Sequence, residues 1–119
     1  MVTGKIKNLI KQTSGSGTVT NEYNVQCVYS WSRVGNVVLL YCTLTPATAI
    51  TNGTGYIQLD NQVPSPVVEV YSAVYGLDGS AAEQKGAARF VAPRNVAAVG
   101  SRTANKSYAV SFTYLTTDA

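Results

Sequence analysis

The chain has 119 residues and a mass of 12.6 kDa, room for one domain and one core but not for a catalytic domain with a separate cofactor domain. Charged residues make up 13%, about half the usual share, and histidine is absent, which removes Ser-His-Asp and Cys-His nucleophile systems and every His-ligated zinc site. The net charge is +3, yet Lys5, Lys7 and Lys11 crowd the first eleven residues and the rest of the chain is neutral. Arg33, Arg89, Arg94 and Arg102 are too scattered to form a nucleic-acid patch.

No stretch reaches the ~18 apolar residues of a membrane span. Residues 1–12 have charges but no apolar centre and no small-residue cleavage site, so they do not read as a signal peptide, and cytoplasmic synthesis is expected. Residues 4–12 fit a short helix or an amphipathic strand. Residues 13–20, Thr-Ser-Gly-Ser-Gly-Thr-Val-Thr, read as a Gly/Ser/Thr linker. The expected division is a basic arm with its linker over 1–22 and a folded head over 23–119.

Within the head, Tyr23–Arg33 alternates with Cys27, Tyr29 and Trp31 on one face. Val37–Leu44 is apolar on both faces, which suits a central strand or one covered by a partner subunit. Between them, Gly35-Asn36 signals a tight hairpin. Gly55–Leu59 follows a turn at Asn52–Gly55, and Val67–Tyr75 follows the Pro64-Ser65-Pro66 break. Ala87–Ala92 and Asn95–Gly100 are weaker strands joined at Pro93-Arg94. Ser107–Thr116 alternates cleanly, with Tyr108, Val110, Phe112 and Tyr114 on one face. About eight short strands with regular turn signals, and no convincing helix, predict an all-β fold: an antiparallel, jelly-roll-like β-sandwich.

A two-residue turn at Gly35-Asn36 pairs Val34 with Val37, Tyr29 with Cys42 and Cys27 with Leu44. The sulfurs then share a face but lie on a diagonal of roughly 7 Å, too long for an ordinary bridge. A longer loop or a bulge would bring them opposite. Two buried free thiols, Cys27 and Cys42, are the expectation.

The six carboxylates, Glu22, Asp60, Glu69, Asp78, Glu83 and Asp118, show no calcium-loop spacing and no evident catalytic pair. Phosphate-loop and dinucleotide signatures are absent. No catalytic residue, metal or cofactor is expected. Trp31, Tyr29, Tyr41, Tyr108 and Tyr114 read as core. Tyr71 and Tyr75 share a strand face that runs toward the Gly-flanked loop 76–86, which reads as either a binding loop or a connector. Tyr71, Tyr75, Asp78 and Glu83 are the candidate ligand-binding residues.

The segment Val28–Val38, with its W-x-R-x-G-N-x-V pattern at Trp31, Arg33, Gly35, Asn36 and Val38, resembles a hairpin of C-terminal head domains in bacteriophage tail-fibre and baseplate proteins. Leu59–Pro66 is similar to the proline-punctuated segment that follows it there, and Tyr108–Leu115 to the last strand. The resemblance implies a non-enzymatic, homotrimeric head on a virion that binds host-surface saccharides, with no catalytic residues. Its partners would be itself and, through the N-terminal arm, other virion proteins, without nucleic acid or membrane insertion. A capsid decoration or head-fibre protein, and a carbohydrate-binding module of a secreted protein, are the alternatives.

Overall fold

The structure, a computed structural model, describes residues 13–22, 24–76, 83–102 and 104–117. Its eight strands are β1 (Ser14–Thr20), β2 (Val25–Val34), β3 (Val37–Pro46), β4 (Ile50–Gln58), β5 (Val70–Gly76), β6 (Glu83–Val91), β7 (Asn95–Arg102) and β8 (Tyr108–Leu115). They form one antiparallel sheet in the order β1-β2-β3-β8-β5-β6-β7-β4. Among the described residues, the backbone pairing that joins the halves β1-β2-β3-β8 and β5-β6-β7-β4 is Tyr75↔Ala109 and Gly76↔Tyr108. The sheet folds over at this short seam and comes close to a barrel. The expected all-β antiparallel fold of about eight strands is borne out.

Strand alternation builds the core. Val25, Cys27, Tyr29 and Trp31 of β2, Val38, Leu40, Cys42 and Leu44 of β3, and Tyr108, Val110, Phe112 and Tyr114 of β8 are all buried. They meet Val74 of β5, Phe90 of β6 and Val96 of β7 from the other half. Phe90 spans the interior, its ring centroid 5.6 Å from that of Phe112 and 5.1 Å from that of Tyr114. Offset aromatic contacts at this separation add to the stabilisation from area burial.

The β2–β3 hairpin has the register that a Gly35-Asn36 turn dictates, with Cys27↔Leu44, Tyr29↔Cys42 and Val34↔Val37. Gly35 has φ of 59° and Asn36 has no positive φ, the pattern of a type II′ turn. Arg33 points inward and donates from Nε to the Gly35 carbonyl at 3.0 Å, while Asn36 O accepts from Thr116 N at 2.9 Å. The residues of the hairpin motif therefore clamp one end of the sheet.

Cys27 and Cys42 are buried free thiols on neighbouring strands. The hydrogen bond to Cys27, and after it burial, push the Cys42 thiol far above its ordinary range. Reagents that need a thiolate should leave both sulfurs unmodified in the native protein. A colorimetric disulfide reagent should titrate about zero thiols before denaturant and two after it; fast labelling of the native chain would contradict this placement.

Three features depart from the sequence reading. The turn expected at Asn52–Gly55 lies inside β4, where the pairing with β7 shifts register between Ile50 and Gly53 and then runs on through Thr54 and Gly55, so these residues make an irregularity within a strand and not a turn. Residues 14–20 form strand β1, paired along its whole length with Gln26–Ser32, and do not act as a linker. The physical reason is space. A Cβ on Gly17 would lie 2.5 Å from Tyr29 Oη and 2.8 Å from Cζ, so glycine lets β1 lie flat over the tyrosine. Tyr41, expected in the core, is 45% exposed, because β3 turns its even-numbered residues inward.

The gap between β1 and β4 is closed by side chains. Tyr29 Oη donates to Asp60 Oδ2 at 2.5 Å, and Gln62 Nε2 donates to Tyr29 Oη at 2.9 Å and to the Ser16 carbonyl at 3.2 Å. Asn21 Nδ2 reaches the Tyr56 carbonyl at 3.3 Å. Burial first, then the hydrogen bond to Asp60, raise the Tyr29 pKa to about 12 from 10.0. A folded-state pKa raised in this way gives stability that is complete below pH 10 and lost as pH climbs from 10 toward 12. Two pKa units correspond to about 3 kcal/mol at most. Urea melts across pH 9–12 should show wild type losing more stability than Tyr29→Phe, which lacks the titrating proton. Parallel slopes for the two proteins would remove Tyr29 from this role.

Candidate functional site

The outward residues of the two sheet halves differ in chemistry. Strands β1, β2, β3 and β8 together carry one charged residue, Arg33, and it is buried. Their outward positions are Ser, Thr, Gln and exposed apolar residues: Val28, Val34, Val37, Leu39, Tyr41 and Leu115. Pairing sets these in rows across the sheet, Ser30–Tyr41–Ser111, Ser32–Leu39–Thr113 and Val34–Val37–Leu115. Leu39, 56% exposed, and Tyr41 thus form a ridge on β3 between strands that present small hydroxyl residues. A depression of about 380 Å³ lies over these rows. From strand spacing the face measures roughly 15–20 Å by 25 Å, about half of one side of a standard protein interface, with its exposed apolar side chains interspersed with Ser and Thr.

The other half presents a polar, aromatic row. Tyr71 on β5 pairs with Arg89 on β6, Arg89 with Ala97 on β7, and Ala97 with Tyr56 on β4. Ala97 is small and buried beneath its neighbours. Arg89 donates from Nη1 to Glu69 Oε1 at 3.0 Å and from Nη2 to Tyr56 Oη at 3.1 Å. The Tyr56 hydroxyl and then Glu69 raise the Arg89 pKa, so the guanidinium stays charged. Tyr71 is 72% exposed and Tyr56 is 53% exposed.

The four residues singled out from sequence are not one cluster. Tyr71 belongs to the row with Arg89. Tyr75 faces the same way on β5 but lies at the seam, opposite Ala109 of β8. Asp78 falls outside the described residues, and Glu83 opens β6 opposite Gly76. Sequence reasoning passed over Tyr56, Glu69 and Arg89, which come from three separate elements. An arginine in an otherwise Ala-rich strand was the available signal.

Among the described residues, no three His, Cys, Asp or Glu side chains are grouped to hold a metal ion. Asp60 is engaged by Tyr29 and Glu69 by Arg89. No helix among the described residues is long and apolar enough to cross a membrane. Compared with protein-family models, with curated proteins and with solved structures, the chain matches none of them.

Proposed function

We propose that the chain is a non-enzymatic structural domain of a bacteriophage virion, of the tail-fibre or baseplate head kind, that assembles as a homotrimer and offers a surface to host-cell saccharides. The uncharged outward face of β1-β2-β3-β8 carries this reading. In a three-fold ring each copy sets one patch against a different patch of the next, and a face without charges enters such a contact with no charge to leave unpaired. Burying Leu39, Tyr41 and Val37 between copies gains roughly 1 kcal/mol for each half-exposed side chain. The resemblance of Val28–Val38, Leu59–Pro66 and Tyr108–Leu115 to phage head domains supplies the virion setting. The basic residues 1–12 would then be the arm that attaches the head to other virion proteins.

Light scattering on a size-exclusion column tests this reading. A mass near three chains at micromolar concentration is expected. A monomer that persists to hundreds of micromolar would overturn the assembly and, with it, the virion reading.

A further inference from the structure

We infer that the row Tyr71–Arg89–Ala97–Tyr56, with Glu69 beside it, is a binding site for a neutral polyhydroxylated ring, a pyranose carrying vicinal hydroxyls. This rests on the saccharide half of the proposed function and adds to it a site and a chemistry.

Ala97 lies buried under the row, where the Arg89–Tyr56 hydrogen bond passes over it, so the row is a flat surface whose polar groups face solvent. Tyr71 stands at one end, 72% exposed, an aromatic surface onto which the C–H face of a sugar ring can lie. Arg89 is held by two hydrogen bonds, to Glu69 and to the Tyr56 hydroxyl, so its guanidinium keeps one direction without a ligand. A preordered side chain loses little entropy on binding. The Arg89 side chain is 44% exposed and that of Glu69 33% exposed, so each retains solvent-facing hydrogen-bonding capacity. A vicinal diol can donate one hydroxyl to the carboxylate and accept from the guanidinium with the other. The pair is neutral as a unit, so the site lacks the uncompensated positive charge that a carboxylate or sulfate sugar would require. The row also lies on the half of the sheet away from the uncharged face, and assembly through that face leaves it open.

The test is a titration of the full chain, labelled with ¹³C at tyrosine rings, with glucose, galactose, mannose and rhamnose separately, each to 100 mM, and with N-acetylneuraminic acid in parallel. The inference expects saturable shifts of the Tyr71 and Tyr56 ring signals with at least one neutral hexose, and much smaller shifts at Tyr75. Arg89→Ala and Glu69→Gln should each weaken that binding at least tenfold while leaving the circular dichroism spectrum and the oligomer mass unchanged. No shift with any neutral sugar, shifts that survive both substitutions, or binding of the acidic sugar alone would overturn the site. The two readings fail separately. A trimer without sugar shifts loses this site and keeps the assembly; a monomer with them loses the assembly and keeps the site.

Discussion

In the proposed trimer, Leu39→Asp should yield monomers without unfolding the chain. Leu39 is 56% exposed at the centre of the uncharged face, between Ser32 and Thr113, so the folded chain tolerates a carboxylate there. In the assembly each copy would bury a new charge at several kcal/mol per subunit, and the four strands of the face carry no outward basic residue to neutralise it. At 10 µM the mass by light scattering should fall to that of one chain, with the melting temperature of the isolated subunit little altered. Val99→Asp makes the matched control, since it adds the same single negative charge at a 48% exposed position of β7, on the other sheet half; its mass should stay that of wild type. Equal masses for Leu39→Asp and wild type would show that the face is not an interface.

Gly17→Ala should be strongly destabilising. An alanine Cβ there would sit 2.5 Å from Tyr29 Oη and 2.8 Å from its Cζ. The ring cannot swing aside freely, because its hydroxyl is bonded to Asp60 and Gln62 and its body is 1% exposed in the core. Either β1 lifts from β2 or the tyrosine leaves its partners. Overpacking of this kind costs about 1–3 kcal/mol and the broken hydrogen bonds add roughly 1–2 kcal/mol, for a total of about 2–5 kcal/mol. Trp31, the single tryptophan, is buried and reports unfolding directly by fluorescence. Thr18→Ala, next door on the exposed side of β1, should change stability by no more than about 0.5 kcal/mol. If Gly17→Ala proves as mild as Thr18→Ala, β1 does not lie against Tyr29 as described.

The same glycine shows where sequence reading stops. Alternation was legible wherever large side chains marked one face, as in Cys27-x-Tyr29-x-Trp31 and Tyr108-x-Val110-x-Phe112-x-Tyr114, and the Gly35-Asn36 turn set the register of a whole hairpin. Strand β1 carries Gly15 and Gly17 at inward positions, so the cue that would reveal a strand is missing for the reason that makes the strand fit: Tyr29 fills the space from the neighbouring strand. Tyr41 was misplaced because Val37–Leu44 is apolar on both faces and hydrophobicity cannot say which face is interior. The proposed assembly rests on the exposed face of that strand, and covering by a partner subunit was one of its two readings from sequence. The Tyr56–Arg89–Glu69 contact was not legible, because its members are 13 or more positions apart and meet only through the pairing of β4, β7 and β6 and the chain just before β5.

Hydroxyl-radical footprinting of the wild-type protein at 100 µM, read by mass spectrometry at Tyr41 and Tyr71, distinguishes a covered uncharged face from an open one. In the isolated subunit Tyr41 is 45% exposed and Tyr71 72% exposed, so without assembly both rings oxidise readily. With the face covered as proposed, Tyr41 is protected several-fold at this concentration, dilution or Leu39→Asp restores its reactivity, and Tyr71 oxidises equally in every case. A Tyr41 ring that oxidises at a rate independent of concentration, in step with Tyr71, would contradict that covering.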